Sequence, residues 1–252
     1  MGTALITGAT AGIGKSFATQ LAAQGMDLVL VARNKERLTS LATQLSADFG
    51  IRVEQLVADL SNEKDLAEVA CRAAASDIEL VVNNAGFGIK QTFIGGDLSA
   101  EQDLLDVLVK AVMRITHAAL PGFVDRNSGG VINVSSVAGW LSSGTYSAAK
   151  SWVTTFSESL AFQLKNSHVH VMALCPGYTR TEFHERANME TSTIPNWMWL
   201  DVDKVVAKAL RDFNANRPVS VPGIQYKVLS VIAQYLPRPL VRRISNVSRD
   251  QK

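Results

Sequence analysis

Short, nearly continuous apolar runs recur along the chain, each giving way to a longer stretch with apolar residues every three or four positions. The short runs fall at 4–7, 27–32, 53–58, 80–83, 131–135 and 169–174. Rich in Val, Ile, Leu and Ala, they read as strands buried on both faces. The longer stretches, near 13–25, 34–48, 62–75, 99–120 and 146–166, read as helices. Ser99 with Glu101 and Gln102 looks like a helix start, and Pro121 like its stop. A further helix is expected over 201–214 and a last short strand over 219–221. This rhythm predicts an α/β fold, a doubly wound parallel sheet between two layers of helices.

With 252 residues, 47% of them hydrophobic, the chain can bury one large core, and no repeat or low-complexity linker divides it. Its 25 basic and 23 acidic residues leave a formal charge of +2 without a long basic run, which argues against nucleic acid as the main ligand. Cys71 and Cys175 lie far apart and read as buried, reduced thiols. His168 and His170 alternate on one strand without partners at ligand spacing, so no metal site is expected. The opening MGTALITG is already strand-like and no apolar run has the length of a membrane span, so a cytoplasmic protein is expected.

The chemistry gathers where strands end. The first run passes directly into TGATAGIG, in which Gly8, Gly12 and Gly14 allow a tight turn, close backbone approach and the opening of a helix. Such a turn aims free N–H groups and the positive helix end at a phosphate. An acidic residue after the second strand would suit the ribose hydroxyls of NAD; the chain instead offers Arg33, with Lys35 and Arg37 behind it. A guanidinium there suits a 2′-phosphate, so NADP(H) is expected over NAD(H). Asp59 and Leu60 follow the third strand, placed to meet an adenine edge and face, and Asn83–Gly86 follow the fourth. Tyr146 and Lys150, four apart at a helix start, share one face. An ammonium beside a phenol stabilises the phenolate, so the pair is expected to lower the usual tyrosine pKa of about 10 and pass a proton.

With TGATAGIG, NNAG, the serines at 135–136, YSAAK and PGYTRT in this order, the chain resembles the short-chain dehydrogenase/reductase family through about residue 182. The resemblance implies a single Rossmann-type domain and hydride exchange between NADP(H) and a carbonyl or secondary alcohol. It implies that Ser136 binds the reacting oxygen, Tyr146 transfers its proton and Lys150 holds the nicotinamide ribose. Thr10 and Ile13 join the glycines around the phosphates, and Asn84, Ala85 and Gly86 extend the cofactor site. Pro176, Gly177, Thr179 and Thr181 line its nicotinamide end. Pairing through the helices near 99–120 and 146–166 implies a homodimer or homotetramer.

Two departures stand out. Where the family often carries an asparagine that supports a water chain to the lysine, this chain has Leu108, and no asparagine lies elsewhere in 97–120. The segment between Ser136 and Tyr146 is short, which leaves Ser142 and Ser143 as fallback serines. Beyond it, the resemblance implies that residues 182–200 form a variable lid, in which Phe183, Trp197, Met198 and Trp199, facing Phe87 and Trp140, either cover an apolar ligand or form local core. His184 reads as a surface or lid residue. The tail, 223–252, is amphipathic and basic at its end; it can pack on the body, build an oligomer interface or rest on a membrane, with membrane contact the least favoured because Pro237 and Pro239 interrupt it. Besides a soluble reductase, an NADP(H)-binding sensor with little turnover and a membrane-associated acyl ketoreductase remain open.

Overall fold

The computed structural model describes residues 2–187 and 189–235. Seven parallel strands form one sheet in the order β3-β2-β1-β4-β5-β6-β7. They are β1 (Thr3–Thr7), β2 (Asp27–Ala32), β3 (Val53–Val57), β4 (Ile78–Asn83), β5 (Gly129–Val134), β6 (Val169–Leu174) and β7 (Val219–Ser220). Helices α1 (Gly12–Ala23), α2 (Lys35–Phe49) and α8 (Val202–Asn214) cover one face, where Phe17, Leu21, Leu38 and Val206 pack against Ile6, Leu30 and Ile132. Helices α3 (Glu63–Ala73) and α5 (Ala111–Asp125) cover the other, with α6 (Gly144–Gln163) beside them; Leu66, Ile115 and Phe123 meet Leu5, Val81 and Val131. Strand order reverses between β1 and β4, which opens a crevice at their carboxyl ends.

The expected doubly wound, three-layer sheet is therefore present, with local corrections. β3 is the sheet's edge and is only partly covered, so its expected burial on both faces does not hold. Pro121 sits inside α5 instead of ending it: the proline forgoes one helix hydrogen bond, but buried Phe123 holds the last turn down to Asp125. The helical run from Leu98 to Asp125 is long and apolar enough, by length and composition, to cross a membrane, contrary to the expectation of no such run. Here it packs against α3, α6, β4 and β5 as a core helix.

That run is not uniform. It comprises α4 (Leu98–Leu105), a π-helical turn at Asp106–Lys110, and α5. The extra residue of a π turn changes the face a helix presents and often marks a functional site. Leu108 lies within it.

Beyond the sheet, α7 (Phe183–Arg186) and a 3-10 turn at Asn196–Met198 lie in the segment expected as a lid, and α9 (Ile224–Tyr235) closes the described chain. α9 packs on the body through Tyr226 and Ser230, while Ile224, Val228, Val231 and Tyr235 form an exposed stripe. The remainder of the amphipathic tail, 236–252, lies outside the described residues.

Candidate active site

Thr7 and Asn84 shape the crevice. Thr7 Oγ1 accepts the N–H groups of Asn84 and Ala85, each at 3.0 Å. In return, Asn84 Nδ2 donates to the carbonyls of Thr7 at 3.0 Å and Gly8 at 3.1 Å. A Cβ on Gly14 would stand 2.3 Å from the Gly8 carbonyl oxygen and 2.4 Å from Asn84 Nδ2, so only glycine allows α1 to start this close. Gly8 and Gly12 also take positive φ, +64° and +50°.

Helix α1 begins without a side-chain cap, since Ala11 has none to offer. By contrast Asn34, Asn62, Asp97 and Asp201 cap α2, α3, α4 and α8. The first N–H groups of α1 are left to a ligand, which fits the phosphates of a dinucleotide. Thr10 lies on this turn, and Ile13 turns inward to the core.

At the adenosine end, Arg33 faces solvent and stands 3.8 Å from Asp59. Burial pushes the Asp59 carboxyl up, but hydrogen bonds from Ser61 and the charge of Arg33 bring it below its usual value. Leu60 is buried beside it. Arg37, expected to follow Arg33 as part of one basic group, instead donates to Glu182 of the lid at 2.8 Å.

The three residues expected to carry the chemistry, Ser136, Tyr146 and Lys150, converge below. Tyr146 stands in the first turn of α6, its phenol hydrogen-bonded with Ser136. Ser136 Oγ also accepts the Ala138 N–H at 3.1 Å, capping a 3-10 turn at Val137–Trp140. Lys150 Nζ donates to the Val134 carbonyl at 2.7 Å and lies 5.8 Å from the centre of the Tyr146 ring. Its backbone carbonyl accepts Ser135 Oγ at 2.7 Å, so the neighbouring serine fixes the helix while Ser136 meets the phenol. Deeper, Asn83 Nδ2 donates to Thr116 at 3.1 Å and Asn133 at 2.9 Å, and Asn133 reaches Ser157 at 3.0 Å. These bonds tie β4, β5, α5 and α6 beneath the trio.

The expected lowering of the tyrosine pKa does not occur. Burial pushes the Tyr146 phenol up to about 12, and the Ser136 hydrogen bond only partly offsets it. Burial also brings the Lys150 ammonium down to about 8. Desolvation is the largest cause for both groups. Leu108 contributes to this dry setting: fully buried, it packs with Leu104, Ala149 and Tyr146. A Cβ built on Gly86 would lie 2.7 Å from Leu108 Cδ2 and 3.8 Å from Lys150 Nζ, so the leucine and the lysine both flank Gly86.

At the nicotinamide end the Pro176 carbonyl accepts the Val137 N–H at 3.1 Å. Gly177 is required by a residue that the sequence reading missed. A Cβ there would stand 2.1 Å from the ring of Tyr226, which lies against the turn. The Tyr226 hydroxyl donates to the Met198 carbonyl at 2.7 Å and accepts the Tyr178 N–H at 3.0 Å. Only the requirement for a bare glycine at 177 hinted at it. Buried Thr179 donates to the Gly177 carbonyl at 3.0 Å and bridges to Leu200, closing the base of the lid. Thr181 packs on Gly12, its Cγ2 at 2.9 Å from where a Cβ would be.

The lid aromatics divide between the two expected roles. Phe183 sits 5.9 Å from Tyr146, ring to ring, and roofs the site. Trp199 packs with Tyr178 and His184 as core of the lid, and Trp197 is largely exposed. His184, expected at the surface or lid, is buried in the lid among these rings. Phe87 packs against the Leu104–Leu108 cluster.

Comparison with known proteins agrees with this geometry. Residues 2–192 match the model of the short chain dehydrogenase family. The chain is 33% identical to a very-long-chain 3-oxoacyl-CoA reductase of Anas platyrhynchos over 71% of its own length, and it spans 60% of that protein. A short-chain dehydrogenase from Sphingobium yanoikuyae, solved with NADPH, superposes with a TM-score of 0.86 at 35% identity, covering 93% of this chain and 94% of that one. A bulky-bulky ketone specific alcohol dehydrogenase from Comamonas testosteroni superposes at 0.81 with 30% identity, covering 94% and 96%. The chain belongs to the short-chain dehydrogenase family of oxidoreductases.

Two outcomes follow from the burial. Leu108→Asn places an amide in a dry cluster and is expected to cost about 2–4 kcal/mol in denaturant unfolding; a loss below about 1 kcal/mol would show that Leu108 is loosely packed. Between about pH 8 and 10.5, the folded chain has released the Lys150 proton that the unfolded chain still holds. The wild type therefore gains stability from this residue as pH rises through that window, and the gain is lost as pH falls back from 10.5 to about 8. Urea midpoints of wild type and Lys150→Met should diverge in the wild type's favour over that range, and parallel curves would count against a depressed Lys150.

Proposed function

We propose that the protein is an NADPH-dependent reductase that converts a ketone with a large apolar substituent to a secondary alcohol. The observation that carries the reading is the partly buried phenol of Tyr146, hydrogen-bonded with Ser136, beside Lys150 and against Phe183. NADPH, when bound along the crevice, supplies the hydride that reaches the carbonyl carbon. Tyr146 donates its phenolic proton to the carbonyl oxygen as charge develops there, and Ser136 hydrogen-bonds that same oxygen. The raised pKa keeps Tyr146 protonated at neutral pH, the form that reduction requires. Lys150, with its pKa brought down to about 8, exchanges protons near neutrality and holds the nicotinamide ribose. Gly8, Gly12, Gly14 and the start of α1 bind the diphosphate, while Arg33 reads the 2′-phosphate.

Three features support the substrate class. Phe183 and Phe87 make the ceiling apolar, Leu108 keeps the lysine side dry, and the relatives include enzymes named for long acyl chains and bulky ketones. An aldehyde would be reduced by the same groups in the same direction, whereas oxidation of a secondary alcohol would reverse both transfers, the proton passing to Tyr146 and the hydride to NADP+.

Tyr146→Phe should lower turnover of a bulky ketone at least about a hundredfold, the scale of general acid catalysis, while NADPH fluorescence titration shows binding retained; a variant with near-normal turnover would remove Tyr146 as the acid. Arg33→Asp should weaken NADPH at least about tenfold more than NADH, as expected when a charge-assisted phosphate contact becomes a repulsion. Equal losses for the two cofactors would assign the phosphate to another residue.

A further inference from the structure

One short lid segment touches three parts of the cofactor crevice. Thr181 packs on Gly12 of the phosphate turn. Phe183 packs on Tyr146 at the reacting end. Between them, Glu182 Oε2 accepts Arg37 Nη1 at 2.8 Å from across the groove, and the same oxygen accepts Arg186 at 2.5 Å from its own side. Arg37 is well anchored for such a reach: its backbone N–H donates to the Asn34 cap at 2.8 Å, which fixes it in the first turn of α2. The ion pair thus joins helix α2 to the segment carrying Thr181 and Phe183. The Arg37 hydrogen bond, joined by Arg186, holds the Glu182 carboxyl below its usual value against a small burial penalty.

We infer that Glu182 is a positioning residue that latches the lid to Arg37 and sets how fast the dinucleotide enters and leaves. The inference rests on the crevice being the cofactor site. Because both partners are protein groups, the latch closes the groove whether or not a dinucleotide lies beneath it. A gate of that kind slows entry and exit together and leaves affinity nearly unchanged. Both partners are about half exposed, so the effect is that of a surface ion pair and is screened by salt. Arg186, on the lid itself, cannot replace Arg37, since it makes no link across the groove.

Stopped-flow NADPH fluorescence tests the latch by direct binding, without turnover. Glu182→Gln should raise the association and dissociation rate constants together by about two- to fivefold, the scale of an exposed ion pair. Arg37→Gln should raise the dissociation rate similarly, and the double variant should go no further than the single ones. Arg186→Gln should change the rates less than Glu182→Gln does. At high salt the gap between wild type and Glu182→Gln should narrow. Unchanged rates in Glu182→Gln, or fully additive effects of Glu182→Gln and Arg37→Gln, would overturn the latch. Tighter NADPH binding through slower release would also overturn it, showing that Glu182 acts by repelling phosphate. Wild type that fails to bind NADPH at all would overturn the cofactor reading and the latch with it.

Discussion

The crevice depends on one reciprocal set of hydrogen bonds, between Thr7 at the end of β1 and Asn84 just past β4. Reversal of strand order at this point makes neighbouring chains diverge, and divergence exposes backbone groups that regular sheet bonding no longer satisfies. The two side chains satisfy them. One hydroxyl takes two N–H groups and one amide gives to two carbonyls, so the phosphate turn and the strand leading to Gly86 keep a fixed separation. Ser136, Tyr146 and Lys150 inherit that order through Asn83, Asn133 and Ser157, which carry it from β4 and β5 to α6.

Dryness is the second organising quantity. Lys150 and Cys175 are enclosed and Tyr146 is partly so, and burial moves each toward its neutral form. Ser135, Thr154 and the Val134 carbonyl supply the hydrogen bonds that make the enclosure tolerable. The consequence for chemistry is a phenol that keeps its proton until a partner oxygen needs it, together with a lysine poised near neutrality. Leu108 belongs to this enclosure. Its side chain fills space beside Gly86 and leaves Lys150 to bond with backbone.

Much of the fold and the site was legible in the chain. Apolar runs marked the inner strands because those strands are covered on both faces, and the glycine turn was visible because its spacing follows from close packing against Asn84. Tyr146 and Lys150 could be placed on one helix face from spacing alone. Spacing could not supply the balance of solvation, which depends on what surrounds the pair in three dimensions, so the direction of the tyrosine shift was misread. Pro121 was read as a stop because local propensity knows nothing of Phe123 two residues on, buried against the sheet. The Arg37–Glu182 pair spans 145 positions and leaves no local trace. Tyr226 was likewise invisible, since an aromatic in an amphipathic tail looks the same whether it faces the body or not.

Tyr226 also ties the nicotinamide end of the site to the order in which the chain is made. Six of the seven strands among the described residues, and Ser136, Tyr146 and Lys150, are encoded before residue 175, yet the turn at Gly177 is completed by a ring that comes about fifty residues later, and its hydroxyl pins both Tyr178 and Met198. During synthesis from the amino terminus, the sheet has its inner strands before the lid has its fastening. The substrate end is therefore finished only when α9 has left the ribosome and docked, which makes the last described helix the closing step in assembling an otherwise early-built enzyme.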